Sequence, residues 1–203
     1  LTAKNKGIAV FYWRSEYERD SDQKELLYDF APNWTNVNKM NPAQFTADPP
    51  TIIEMVTGNR LYCAMSSAGI MRQALVQALH HTSHRSAFQK RLIQQPLMRN
   101  VLADMAVEVE ASLALGLRVA RAMDQQDNLA EAALARIGTA VAKYWNTKRC
   151  PSLVVEALEC HGGPGYIEDS IMPRLYREAP LNSIWEGSGN IMSLDVLRAI
   201  RRE

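Results

Sequence analysis

Between Leu61 and Leu79 apolar residues return every three or four positions, at Leu61, Met65, Ala68, Met71, Leu75 and Leu79. That period lines them up on one face of an α-helix and commits the face to burial. Pro49 and Pro50 suit the start of this helix, which is expected to run from about Thr51 to about Arg85. Ala64 and Ala68 are small enough for a neighbouring helix to come close. The pattern returns after Pro96, where Leu97, Val101, Met105, Val109 and Leu113 predict a second helix ending near Met123. Asp127-Asn128 reads as a turn or N-cap. A third helix is then expected to carry Ala133, Ile137, Val141 and Tyr144 inward. Pro151 should kink that helix or start a new one. The pattern resumes through Val154, Leu158 and Glu159 until Gly162-Gly163 stop it. A last helix is expected from about Asn190 to the end, with Ile191, Leu194, Val196 and Leu197 apolar. Short connections between such helices predict a mainly α fold, an antiparallel helical bundle over 51–203.

The first 50 residues read differently. Gly7 to Trp13 is a short β-type run, rich in aromatic and branched side chains. A single strand is not stable alone. Residues 15–50 are polar and irregular, with Pro32, Pro42, Pro49 and Pro50, and 23–29 can form a short helix. Because the chain begins at Leu1 and opens mid-pattern, it reads as a fragment of a longer polypeptide.

Composition removes several function classes. With 47% hydrophobic and 22% charged residues the chain is ordinary globular protein. Its apolar runs are too short and interrupted to span a membrane. A net charge of +1 gives no bulk attraction to nucleic acid. Cys63, Cys150 and Cys160 form no CxxC pair, which argues against a zinc ribbon or disulfide framework and for a reduced, cytoplasmic setting. His80 and His84 have the i, i+4 spacing of a metal pair, but no acid or third His accompanies them and HExxH is absent, so no metal is expected. There is no Walker A loop and no Gly-x-Ser-x-Gly elbow.

The chemistry concentrates between Glu159 and Arg198. Gly162, Gly163 and Gly165 let backbone approach something closely. Further on, Glu186 is a lone carboxylate between Trp185 and Gly187, where partial desolvation would keep it usable as a base. Ser188 or Asn190 can cap the helix that follows, and a helix N-terminus attracts anions. The plainer reading is a glycine-rich turn, a surface acid and an ordinary cap.

The full string is more specific than its parts. It reads Gly162-Gly163-Pro164-Gly165-Tyr166, then Pro173-Arg174-Leu175-Tyr176-Arg177-Glu178, then Asn182-Ser183-Ile184-Trp185-Glu186-Gly187-Ser188-Gly189-Asn190-Ile191-Met192. This closely resembles the C-terminal signature of flavin-dependent acyl-CoA dehydrogenases, in their AidB-type (alkylation-response) branch. The resemblance covers Thr51 to Arg202 and is tightest after Gly162. It implies flavin adenine dinucleotide (FAD), an acyl-CoA thioester as substrate, and a homotetramer, or dimer of dimers, whose interfaces house the cofactor. It also implies that the first 50 residues are a remnant of the middle β-domain and a linker.

Residue by residue, the resemblance makes Glu186 the base that removes the α-proton of the thioester while a hydride leaves the β-carbon for flavin. A carboxylate suits that task, and flavin is needed because no side chain accepts a hydride. Some relatives carry the base just before an arginine of the first bundle helix. That position here is Asn59, before Arg60, and an amide is not a base. Arg60 is similar to a substrate-contacting arginine, and Gly187 to a residue along the acyl chain. Ser188 and Asn190 match flavin-contacting positions that more often hold Thr and Gln. Arg85 and Phe88 resemble an Arg-x-x-Phe-Gly element in which arginine pairs with the cofactor's pyrophosphate across a subunit interface, with Gln89 standing where the family usually has Gly. Gln95 falls at another flavin contact, Glu159 where the family has Gln at the adenine end, and Gly162 and Gly163 where backbone abuts the partner's cofactor. Lacking the domains that supply ring contacts and much of the acyl-CoA cleft, the polypeptide alone is expected to be inactive. The alternative is a non-catalytic helical module that oligomerises and contacts double-stranded DNA. Arg198, Arg201 and Arg202 on one helix face, with Arg174 and Arg177 nearby, would serve it; their plainer role is a solvated helix end.

Overall fold

A computed structural model describes residues 49–201, with side chains from Met55 onward. The β-type run at 7–13, the short helix at 23–29 and Arg202 lie outside the described residues.

Three long helices form the frame: α1 (Pro49–His84), α2 (Pro96–Asp124) and α3 (Leu129–His161). Short helices α4 (Gly163–Tyr166) and α5 (Met172–Glu178) follow, then a 3-10 turn at Leu181–Ser183 and the last helix α6 (Gly189–Ile200). The antiparallel bundle predicted from the apolar period is the fold observed. The helix starts obey local chemistry. Pro96 supplies the first turn of α2 with a residue that has no N–H to satisfy. The Asn128 side chain caps α3 by accepting from the Ala130 N–H at 2.9 Å.

Between α1 and α2 lies a two-strand hairpin, β1 (Ser86–Ala87) and β2 (Lys90–Arg91), with Ser86 opposite Arg91 and Ala87 opposite Lys90. Its two-residue loop is Phe88-Gln89, at φ 52° and 65°. Two successive positive φ values mark the tight turn that matches strand twist, where glycine is the usual occupant. Gln89 therefore adopts the backbone shape that a glycine would give this turn.

The core packs Met71, Ala74, Leu75 and Ala78 of α1 against Leu102, Met105 and Val109 of α2. Cys150, Leu153, Val154, Ala157 and Cys160 of α3 complete it, with Met172 and Leu175 of α5 closing one side. The ends of the predicted faces differ from expectation. Leu97 is 77% exposed, while Ile93 before it and Met98 beside it pack against the core, and Leu79 is also exposed. On α3 the expected face is displaced. Ala133 is exposed, Ile137 is half-buried, and Val141 and Tyr144 are 41% and 42% exposed. The buried face is instead Ala135, Thr139, Ala142, Lys143, Asn146, Thr147 and Cys150. Close helix approach selects small residues there, and Thr139, Lys143 and Asn146 find backbone partners. Thr139 Oγ1 donates back to the Ala135 carbonyl at 2.7 Å. Asn146 Nδ2 donates to the Ala64 carbonyl at 3.2 Å and the Ser112 carbonyl at 3.0 Å, pinning α3 to both neighbours. Nor does Pro151 end α3, which runs through it to His161. Gly162, at φ 64°, ends the helix as anticipated.

Candidate functional site

The 182–187 loop connects α5 to α6 and is held from several sides. The Asn182 side chain is buried; its Nδ2 donates to Ser67 Oγ at 3.3 Å and its Oδ1 accepts from Trp185 Nε1 at 2.9 Å. Glu186 and Gly187 then take φ values of 56° and 102°. For a non-glycine residue that shape costs about 1–2 kcal/mol, so the surroundings must impose it.

Those surroundings are α1 and α3. Asn59 Nδ2 donates to Glu186 Oε1 at 3.2 Å. Arg60 Nε donates to the Glu186 carbonyl at 3.1 Å, and its Nη1 to Asp195 Oδ2 at 2.8 Å. Arg136 grips the same carboxylate at 2.7 and 3.1 Å. Burial would push the Asp195 carboxyl up, but Arg136 first and then Arg60 outweigh it, and the net direction is down. From below, Lys143 Nζ donates to the carbonyls of Gly187 at 2.7 Å and Asn182 at 3.0 Å. Burial holds its ammonium below the ordinary lysine range, and the Cys63 thiol beside it is pushed up by the same desolvation. Lys143 escaped the sequence reading. The only signal was a lysine at i+4 from Thr139, inside a small-residue stretch that the apolar period does not mark.

The sequence candidates separate into two groups. Glu186, Gly187, Ser188, Asn190 and Arg60 gather at the N-terminus of α6. Ser188 occupies its N-cap position without a side-chain cap bond, so its hydroxyl is not spent on the helix. Gly189 lies close against Tyr144 and Lys148 of α3. The second group is at the far end of α3. There the rings of His81 and His161 meet at 4.7 Å, bringing the hairpin with Arg85 and Phe88 towards Glu159, Gly162 and Gly163. Gln95 Nε2 braces the hairpin through the Ala87 carbonyl at 3.5 Å. Arg85 and Glu159 are exposed, Phe88 is 90% exposed, and a Cβ at Gly162 or Gly163 would meet open space. At 1.5 Å per residue, Lys148 and Gly162 are roughly 21 Å apart along the helix.

His80 and His84 stack at 4.5 Å, and His84 Nδ1 bonds the His80 carbonyl at 2.8 Å. Among the described residues no group of three or more metal-ligating side chains occurs, and no helix is long and apolar enough to cross a membrane. Arg177 is engaged by Glu168 at 2.8 Å, while Arg174, Arg198 and Arg201 are exposed.

Comparison with known proteins decides the family. The sequence profile described as "Acyl-CoA dehydrogenase, C-terminal domain" matches residues 50–201. The chain belongs to the acyl-CoA dehydrogenase family. Members of this oxidoreductase family include the putative acyl-CoA dehydrogenase AidB of Escherichia coli, 49% identical over 152 residues, or 75% of this chain and 28% of that protein. Acyl-CoA dehydrogenase family member 11 of Caenorhabditis elegans is 35% identical over 151 residues, 72% of this chain and 24% of that one. The crystal structure of the C. elegans protein ACDH-11 in complex with C11-CoA superposes with a TM-score of 0.74 at 34% identity, covering 76% of this chain and 27% of that one. The chain thus spans about a quarter of the length of these relatives. An acyl-CoA dehydrogenase C-terminal bundle of AidB-like sequence is the architecture that carries both residue groups.

Proposed function

We propose that this chain is the C-terminal bundle of an FAD-dependent acyl-CoA dehydrogenase and that Glu186 abstracts the α-proton of an acyl-CoA thioester. The observation that carries this reading is the grip on Glu186: Asn59 on its carboxylate and Arg60 on its carbonyl, beside the start of α6. Asn59 orients the carboxylate, and the strained backbone fixes where it points. Arg60 is committed to the Glu186 carbonyl and Asp195, so it acts on substrate through the loop it holds. Gly187 continues the loop along the acyl chain.

The residues present suit a flavin dinucleotide. Ser188 and Asn190, on the exposed start of α6, can hydrogen-bond the ring or the chain next to it. Arg85 offers a bidentate fork to the pyrophosphate, with Phe88, Gln95, Glu159, Gly162 and Gly163 around the adenosine half. When bound, FAD supplies the hydride acceptor that no side chain provides. The distance between the two groups along α3 supports a cofactor shared between copies, and hence a homotetramer or dimer of dimers.

Residues 1–50 are read as a middle β-domain remnant with its linker, and the three free, buried cysteines suit a cytoplasmic protein. The alkylation-response connection rests on the likeness to AidB. The DNA-contact alternative draws on Arg174, Arg198 and Arg201, and a salt-sensitive gel shift would favour it.

The test is acyl-CoA-dependent dye reduction across short and long chain lengths. The 203-residue chain alone gives none. In flavin-retaining protein that carries this bundle with the remaining domains, Glu186→Gln lowers turnover by about 100-fold or more. Undiminished turnover removes Glu186 from the mechanism.

A further inference from the structure

Lys143 is 1% exposed, the largest side chain among those fully buried. A buried ammonium is costly unless its donors are matched. Its ammonium donates to the carbonyls of Asn182 and Gly187, at 3.0 and 2.7 Å. These two residues bracket the loop that carries Glu186. Asn182 is the anchored start, tied to Ser67 and Trp185. Gly187, at φ 102°, is the turn that immediately follows the carboxylate. One buried cation therefore joins both ends of the segment.

We propose that Lys143 is a positioning residue for Glu186: its ammonium clamps the two ends of the 182–187 loop and so sets where the carboxylate points. The proposal rests on the reading of Glu186 as the base. Lys143 itself touches neither substrate nor cofactor. Charge–carbonyl bonds are stronger than neutral ones, and a clamp across six residues removes the loop's freedom to relax its positive φ values. Gly187 reinforces the clamp sterically, since a Cβ there would stand 2.9 Å from Met192 Cε and 3.0 Å from Ile191 Cγ2.

The loop carries its own reporters. The Ser183, Ile184 and Trp185 amides donate to the carbonyls of Pro180 or Leu181 at 2.9 to 3.3 Å. Hydrogen exchange of these amides is compared in the 203-residue chain and in Lys143→Met, which keeps the apolar stem and removes the donors. The loop amides are expected to exchange about tenfold faster or more, with Val109 and Val154 in the bundle core changed less than about twofold. Unchanged loop exchange in a folded variant overturns the proposal. An equal rise in the core also overturns it, because Lys143 would then be a packing residue alone. Should Lys143→Met fail to fold, the wild-type chain gives the answer by scalar coupling across the hydrogen bonds from Lys143 Nζ. Coupling to the Asn182 and Gly187 carbonyl carbons supports the clamp, and its absence overturns it. In flavin-loaded protein, Lys143→Met is expected to lower kcat about tenfold with KM nearly unchanged. Parallel Glu186→Gln separates the two readings: if it leaves turnover intact, the base assignment falls and the positioning role with it, whatever the exchange rates show.

Discussion

Asn59 and Glu186, 127 residues apart in sequence, meet through a 3.2 Å hydrogen bond from Nδ2 to Oε1. The resemblance had marked both positions as places where relatives carry the catalytic base. The fold makes them one place, with α1 and the 182–187 loop facing each other across it. An amide at Asn59 adds no charge and donates to the carboxylate that remains. Replacing it with a second carboxylate reverses that support. In flavin-loaded Asn59→Asp, like charge beside Glu186 disfavours its anion. The acyl-CoA oxidation rate should fall at neutral pH and its pH–rate profile should move towards higher pH, as a coupled pair of acids requires. A profile superimposable on the wild type would separate the two positions functionally.

Asp195 joins Arg60 of α1 to Arg136 of α3, and the Arg60–Asp195 pair is only 16% and 13% exposed. Asp195→Asn leaves two guanidiniums facing a neutral amide. Removing one member of a buried pair costs 3–5 kcal/mol, and partial solvent access reduces that to roughly 2 kcal/mol here. Urea denaturation of the 203-residue chain measures the loss. A cost below about 0.5 kcal/mol would show that water replaces the carboxylate without penalty.

His81 gives the bundle a pH dependence. Its imidazole is held below the ordinary histidine value, by burial first and then by the charges of His161, Arg85 and His80. The folded state therefore resists a proton that the unfolded chain accepts at about pH 6.5. Stability is complete above that value and falls as pH drops from it towards the lower folded pKa. Thermal melts of wild type and His81→Gln between pH 7.5 and 5.5 should diverge, with the variant declining less; parallel curves would place the proton elsewhere.

How much of this was legible depended on which physics wrote the sequence. Met71, Leu75, Met105 and Val109 are buried where the three-to-four period puts them, because that face is built from large apolar side chains. On α3 the same rule selected Val141 and Tyr144, which face outward. The inner face there uses Ala142, Lys143 and Asn146, whose burial depends on partners contributed by residues far away in the chain. A period counts hydrophobicity and cannot count such bonds. At Pro151 no new helix starts: packing of Cys150, Leu153 and Val154 on both sides keeps α3 going despite one missing donor. Glu186, Ser188 and Gly162 stood out because they sit in a long ordered string, whereas Lys143 belongs to no string.

The glycines after α3 divide into two kinds, and the division is measurable. Of the three glycines that let backbone approach closely, Gly163 is open: a Cβ there would meet nothing within 4 Å. A Cβ at Gly165 would stand 2.4 Å from the Leu158 carbonyl oxygen and 2.9 Å from His161 Cβ. The first contact is backbone, which does not rotate away. Gly165→Ala must therefore push α4 off the end of α3, an overpacking that costs about 2 kcal/mol. Gly163→Ala should be neutral or stabilise by a few tenths of a kcal/mol, since alanine is the better helix former. If backbone at Gly163 abuts a partner's cofactor, the same alanine weakens flavin retention while leaving the urea midpoint unmoved. Loss of stability at Gly163, or none at Gly165, would mean that packing of α4 against α3 is not what fixes this turn.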